Sequence, residues 1–131
     1  LSVDLGTEGI LVEAGVTRID KPWGYELHWA KTDRYVGKII HVDAGHALSL
    51  QFHNLKDETI LLWSGRLLFE IIRGDKTERW EMKKGERVHI PPKAVHRMIA
   101  IDDCDIIEVS TPELDDIVRL EDRYGRIGRS A

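Results

Sequence analysis

The sequence predicts an all-β domain of the jelly-roll or closed-barrel kind, with at most one short C-terminal helix. Three observations point there. Nine short segments rich in Val, Ile, Leu, Phe and Trp follow one another along the chain. Turn residues separate them at short intervals. One stretch alone, near the C-terminus, carries helix-start signals. A barrel or jelly roll accommodates that many short strands without long bare edges.

The segments, in order, are Tyr25 to Trp29, Val36 to Val42, Ala47 to His53, Thr59 to Trp63, Arg66 to Ile72, Thr77 to Met82, Arg87 to Ile90, His96 to Ala100 and Asp105 to Ser110. Asp43-Ala44-Gly45, Ser64-Gly65, Gly74-Asp75, Lys84-Gly85 and Asp102-Asp103 break them. Ser64-Gly65 lies between two strongly apolar runs, a hairpin signal. Pro91-Pro92 cannot continue a central strand, because proline has no N–H for the ladder. The chain is therefore expected to turn there and re-enter the sheet at His96. Thr111 as cap, Pro112 as first helical residue, and Glu113, Asp115 and Asp116 near the positive end predict a helix to about Leu120. An extended tail is the alternative. Trp63, Phe69 and Trp80 are expected in the core. Trp23 and Tyr25 are expected to pack, with the mouth of the barrel as a second placement.

The chain has 131 residues, which allows one core and one domain. No linker-like stretch divides it; residues 1–20 read as an N-terminal arm and 21–131 as a single domain. It is 42% hydrophobic and 32% charged, with a net charge of −4. That composition fits a folded soluble protein and argues against nucleic acid as the main partner. No apolar run approaches the roughly 18–20 residues of a membrane span. Leu1 to Ile10 contains Asp4 and Glu8 and lacks a basic start, so it does not read as a signal peptide. Cys104 is the lone cysteine; it can form neither an internal disulfide nor a thiolate zinc site, and it fits a reducing, cytoplasmic setting. Flanked by Asp103 and Asp105, it is not expected to be a reactive thiolate.

The chemistry concentrates in Gly45-His46-Ala47-Leu48-Ser49-Leu50-Gln51-Phe52-His53. Alternate strand residues share a face, so Ser49, Gln51 and His53 point one way and Leu48, Leu50 and Phe52 the other. Glu58 follows after a short bend. His96 comes just after the turn forced by the prolines. An amide oxygen, a carboxylate and two imidazoles form a ligand set suited to Zn²⁺, with Mn²⁺, Co²⁺, Ni²⁺ and Fe²⁺ also compatible. The metal ligands are therefore expected to be Gln51, His53, Glu58 and His96. His28, His41, His46 and His89 read as surface or packing residues, His46 set apart because it flanks the ligand strand.

Gly45, Gln51-Phe52-His53, Glu58 and Gly65 together resemble the first cupin motif, with Gln51 in place of its usual first histidine. Gly85, Pro91 and His96 resemble the second, departing at Lys93 and Ala100. Lys21-Pro22-Trp23-Gly24, Leu48 to His53 and Asp115 to Arg126 further resemble the C-terminal cupin domain of type II mannose-6-phosphate isomerases. That resemblance spans Lys21 to Arg126. In many such relatives the domain follows a mannose-1-phosphate guanylyltransferase. Leu1 to Asp20 has no Gly-rich nucleotide loop, so nucleotidyl transfer is not expected here.

The resemblance implies a cupin double-stranded β-helix holding one divalent metal. It implies isomerisation of mannose 6-phosphate to fructose 6-phosphate. Another sugar or sugar-phosphate isomerase or epimerase, and a non-catalytic metal-containing sugar-binding cupin, are the alternatives. Arg119, Arg123 and Arg126 become candidates for the substrate phosphate, since a guanidinium gives paired hydrogen bonds. Lys21 and Lys38 are further phosphate or proton-transfer candidates. Arg97 follows a ligand, and both a site role and a solvated strand position are open to it. The base is left among His46, Lys93, Lys38 and a hydroxide on the metal. Cupins also suggest a homodimer, with Gly9 to Val16 pairing across its interface.

Overall fold

The structure, a computed structural model, describes residues 2–4 and 9–129. It contains fourteen strands: β1 (Ser2–Asp4), β2 (Leu11–Glu13), β3 (Thr17–Lys21), β4 (Gly24–Lys31), β5 (Val36–Val42), β6 (Leu50–Phe52), β7 (Glu58–Ser64), β8 (Leu67–Arg73), β9 (Lys76–Met82), β10 (Arg87–Ile90), β11 (Val95–Ala100), β12 (Cys104–Ser110), β13 (Val118–Glu121) and β14 (Gly128–Arg129). One six-stranded sheet runs β10-β7-β12-β5-β4-β3 and a second runs β14-β13-β6-β11-β8-β9. β1 and β2 form a separate hairpin. No helix among the described residues is long and apolar enough to cross a membrane.

The nine expected strands are all present. Eight differ from the expected bounds by a residue or two at most or match them outright; the ligand strand shrinks to Leu50–Phe52, with Ala47 bridging Ile99. Gly65 makes the expected turn at φ +93°, where a Cβ would sit 2.1 Å from the Asp103 carbonyl oxygen. No other residue fits that approach.

Three expectations are corrected. Thr111 to Leu120 is not helical: Thr111 N donates to Asp57 O, and Val118 to Glu121 pair with the ligand strand instead. Tertiary hydrogen bonds outweigh the local helix signals. Trp63 is 58% exposed, because the alternation that buries Ile60 and Leu62 turns it outward. Trp80 packs on Phe69 but stays 37% exposed, since β9 is an edge strand with one neighbour.

The inward positions divide the interior into two halves. On β7 they read Leu62, Ile60, Glu58; on β12, Cys104, Ile106, Glu108, Ser110; on β5, Val42, Ile40, Lys38. One half is a closed apolar core with Phe69, Leu67, Met82 and Met98. The other half carries charge, and there the sheets enclose a cavity of about 690 Å³.

Candidate metal centre

The ligand strand and its neighbours deliver the cluster. Gln51 on β6 lies directly opposite His96 on β11, and Glu58 opens β7. Ligand atoms of His53, Glu58 and His96 all lie within 4.8 Å of one another, and all three residues are buried. Glu58 Oε2 is 3.5 Å from His53 Nε2, and Glu58 Oε1 is 3.9 Å from His96 Nε2. His96 donates Nδ1–H to the Ala94 carbonyl at 2.9 Å, and His53 donates Nδ1–H to the Asp116 carbonyl. Each donation leaves an Nε2 lone pair aimed at the cluster, the arrangement of histidines in metal sites. Burial, the largest influence, pushes His96 below its ordinary pKa and keeps the ring neutral.

Buried His96 Nε2 has no hydrogen-bond partner, and Glu58 Oε2 has the Lys56 ammonium alone, 3.0 Å away. A buried unpartnered nitrogen is costly, and a divalent cation bonded to His96 Nε2 and Glu58 would satisfy it. Gln51 requires one adjustment. Its Oε1 accepts from Ser49 Oγ at 2.7 Å, while Nε2 lies 3.5 Å from His53 Nε2. A half-turn of the amide presents the oxygen to the cluster and lets Nε2 donate to Ser49 Oγ. The donor set thus fits the metal expected from the sequence.

A ladder of buried charges adjoins the cluster. Lys56 Nζ is 3.0 Å from Glu58 Oε2 and 3.0 Å from Glu108 Oε2. Lys38 Nζ lies 4.0 Å from Glu108 Oε2 and 3.2 Å from Glu26 Oε1. His28 Nε2 donates to the same Glu26 oxygen at 2.8 Å. Burial opposes charge on both Glu26 and Glu108. Lys38 leads the groups that outweigh it for Glu26, and Lys56 those that do so for Glu108, so both pKa values fall below the ordinary range. Burial would also lower the Lys56 pKa, but Glu108 and Glu58 raise it well above its usual value. Sequence reasoning missed Glu26, His28, Lys56 and Glu108. A signal for Glu108 exists: it shares its strand face with Cys104 and Ile106, where a carboxylate is out of place unless it serves a site.

The cavity is also lined by Lys21, Lys38, Arg119 and Arg126. Arg119 stands directly opposite Gln51 on β13, is 8% exposed, and has no partner for its buried Nε. Burial first, then Arg126, lowers its pKa. Burial likewise lowers Lys21, and Lys38, Arg119 and Arg126 add to the effect against Glu26. Arg126 is already held by a forked contact to Asp122 at 2.9 and 3.0 Å. The unmet positive charge therefore sits mainly on Arg119 and Lys21.

Four sequence candidates lie outside both the cavity and the cation cluster. Arg97 alternates with His96, so it lies on the opposite face of β11 and pairs with Glu121 at 3.0 Å. Lys93 is exposed, with φ +74°, and its Nζ donates to Asn54 Oδ1 at 2.6 Å. His46 stacks on Tyr124, with Nδ1 2.7 Å from the phenol oxygen. Arg123 is exposed and donates Nη1 to the Gly45 carbonyl at 3.0 Å. Cys104 is buried, and burial pushes its thiol up to about 11, so it is no thiolate.

Two antiparallel sheets closed over a His/Glu cluster with a charged cavity define a cupin, a double-stranded β-helix. The chain belongs to the mannose-6-phosphate isomerase C-terminal family, whose model matches residues 12–122. It is 32% identical over 112 residues to the mannose-1-phosphate guanylyltransferase ManC of Salmonella typhimurium, covering 82% of this chain and 22% of that protein. It is 32% identical over 133 residues to the alginate biosynthesis protein AlgA of Pseudomonas aeruginosa, covering 98% of this chain and 27% of AlgA. The chain thus spans about a quarter of the curated relatives it matches. The capsular polysaccharide assembling protein CapF of Staphylococcus aureus shares the fold, with a TM-score of 0.69 and 21% identity over 83% of this chain and 33% of that one.

Proposed function

We propose that this domain is a metal-dependent sugar-phosphate isomerase, interconverting mannose 6-phosphate and fructose 6-phosphate. The observation that carries the reading is a cavity lined by Gln51, His53 and Glu58 of the candidate cation cluster and by a buried guanidinium lacking an anion. Gln51, His53, Glu58 and His96 would hold the divalent ion, with Zn²⁺ preferred on ligand chemistry. When bound, such an ion supplies Lewis acidity toward a sugar oxygen. Arg119 and Lys21 bind the phosphate, with Lys38 and Arg126 at the wall of the same space, and this contact aligns the sugar. Family membership supports the substrate class. A cytoplasmic homodimer completes the reading: Cys104 is a buried free thiol, and Ile10, Leu11, Val12 and Val16 of the arm are exposed apolar residues for a second copy to cover.

The test is elemental analysis of the purified protein, followed by a coupled assay for fructose 6-phosphate before and after chelation. The expected result is a bound divalent metal and turnover that chelation abolishes and Zn²⁺ restores. Binding of metal and mannose 6-phosphate without turnover would replace the isomerase by a sugar-binding cupin. Turnover of a different sugar phosphate would move the substrate but keep the chemistry. Full turnover in metal-free protein would overturn the proposal.

A further inference from the structure

Five carboxylates line the cavity: Glu13, Glu26, Glu58, Glu108 and Asp115. They are not equivalent. Glu13 and Asp115 are exposed. Glu58 belongs to the cation cluster. Glu108 is 3% exposed, and its Oε2 lies against Lys56. Glu26 remains. It is 9% exposed, and it sits on the inward face of β4. Its Oε1 carries both the His28 and the Lys38 contacts, which leaves Oε2 for the cavity.

We propose that Glu26 is the general base of the site, carrying the proton between the two carbons that exchange oxidation state. The assignment rests on the isomerase reading above. It draws on three features of Glu26. The carboxylate is oriented by two partners on one oxygen, so the free oxygen is fixed in direction. It lines the cavity that also holds Gln51, His53, Glu58 and Arg119, so a sugar bridging the cation cluster and the phosphate site runs along its wall. Lys38, His28 and Lys21 hold it ionised against its burial, so the free oxygen carries no proton of its own, although the same contacts reduce its basicity.

The step balances without a co-reactant. In the open-chain aldose, Glu26 takes the proton from C2. The C2–H electron pair forms the C1–C2 double bond, and the C1 carbonyl pair moves onto O1. The O2 hydroxyl proton passes to O1. The O2 pair then forms the C2 carbonyl as the double-bond pair takes the proton back from Glu26 at C1. One proton moves from C2 to C1 and one from O2 to O1, with no net oxidation.

Two measurements test this with the zinc-loaded, full chain. The first needs no variant: mannose 6-phosphate is converted in D₂O, and deuterium at C1 of the fructose 6-phosphate is read by NMR. A carboxylate that exchanges its proton with solvent in some turnovers places deuterium there; product free of deuterium, together with a Glu26→Gln variant of parental kcat, would remove Glu26 from the role. The second compares Glu26→Gln and Glu26→Asp with the parent protein. Both are expected to keep zinc content and KM within a few-fold. Glu26→Gln should lose about 10²–10⁴ in kcat, and Glu26→Asp, which keeps the charge but withdraws the oxygen, should lose less. Glu26→Gln retaining parental kcat overturns this assignment and leaves the isomerase reading intact. A parent protein that neither turns over nor labels mannose 6-phosphate overturns both.

Discussion

Lys56→Met puts the buried charge ladder to a quantitative test. Methionine keeps an unbranched stem of similar length and removes the ammonium. Lys56 is 4% exposed, and its Nζ lies 3.0 Å from one oxygen each of Glu58 and Glu108, which are each 3% exposed. Removing the cation strands two carboxylates away from water. Breaking a buried ion pair by deleting one partner costs about 3–5 kcal/mol. In a chain of this size each kcal/mol moves the unfolding midpoint by roughly 3–5 °C, so Tm should fall by roughly 10–20 °C. The assay is thermal unfolding of chelated protein followed by circular dichroism. Adding Zn²⁺ should recover more stability in Lys56→Met than in the parent, because the ion supplies Glu58 with a counter-charge. The double variant Lys56→Met/Glu108→Gln should regain part of the loss, since one stranded carboxylate is gone. A metal-free Lys56→Met protein melting within roughly 2 °C of the parent, less than 1 kcal/mol, would refute the ladder's energetic role.

Two further outcomes follow from hydrogen bonds outside the ladder. Asp116 accepts backbone N–H groups from Asn54, Leu55 and Lys56 at 3.0, 2.6 and 2.9 Å, fixing the bend between His53 and Glu58; Asp116→Ala should cost about 2–4 kcal/mol and weaken zinc binding, read by denaturant titration and calorimetry, and unchanged zinc affinity would count against it. Burial opposes a charged His41, but Asp105 at 2.8 Å, with Asp43 and Asp103, outweighs it and raises the pKa above 6.5. That contribution is fully present below about pH 6.5 and is lost as pH rises through the folded value, so His41→Gln should flatten the fall in stability above pH 6.5; parallel pH profiles would exclude it.

The fold was legible because alternation and turn chemistry agree along the middle of the chain. Val36–Val42 reads as a strand from its β-branched residues, and Gly65 could only be a turn. What stayed hidden was set by distant partners. Thr17–Lys21 has Ile19 alone as a large apolar residue and becomes a strand because β4 offers an edge. Thr111 to Leu120 carries real helix signals, yet its backbone and Asp116 are taken by the loop that positions Glu58. Local propensity is a weak prior against several tertiary hydrogen bonds.

The site divides along the same line. His53, Glu58 and His96 could be read because ligand chemistry restricts residue type and spacing. Arg97, Lys93, His46 and Arg123 rest on the family resemblance and on neighbouring motifs, neither of which decides which face a side chain takes. The charges that matter for the cavity follow from burial instead. Glu26, Glu58 and Glu108 face Lys38 and Lys56 across one inner surface, three carboxylates against two ammonium groups. Arg119 and Lys21 border the same cavity with positive charge that their neighbours do not neutralise. An interior with converging, partly unpartnered ligand atoms at a histidine cluster and an unmet positive charge beside it favours ligands of both signs. A cation and an anion bound together satisfy both, and a metal ion with a phosphorylated sugar is one such combination.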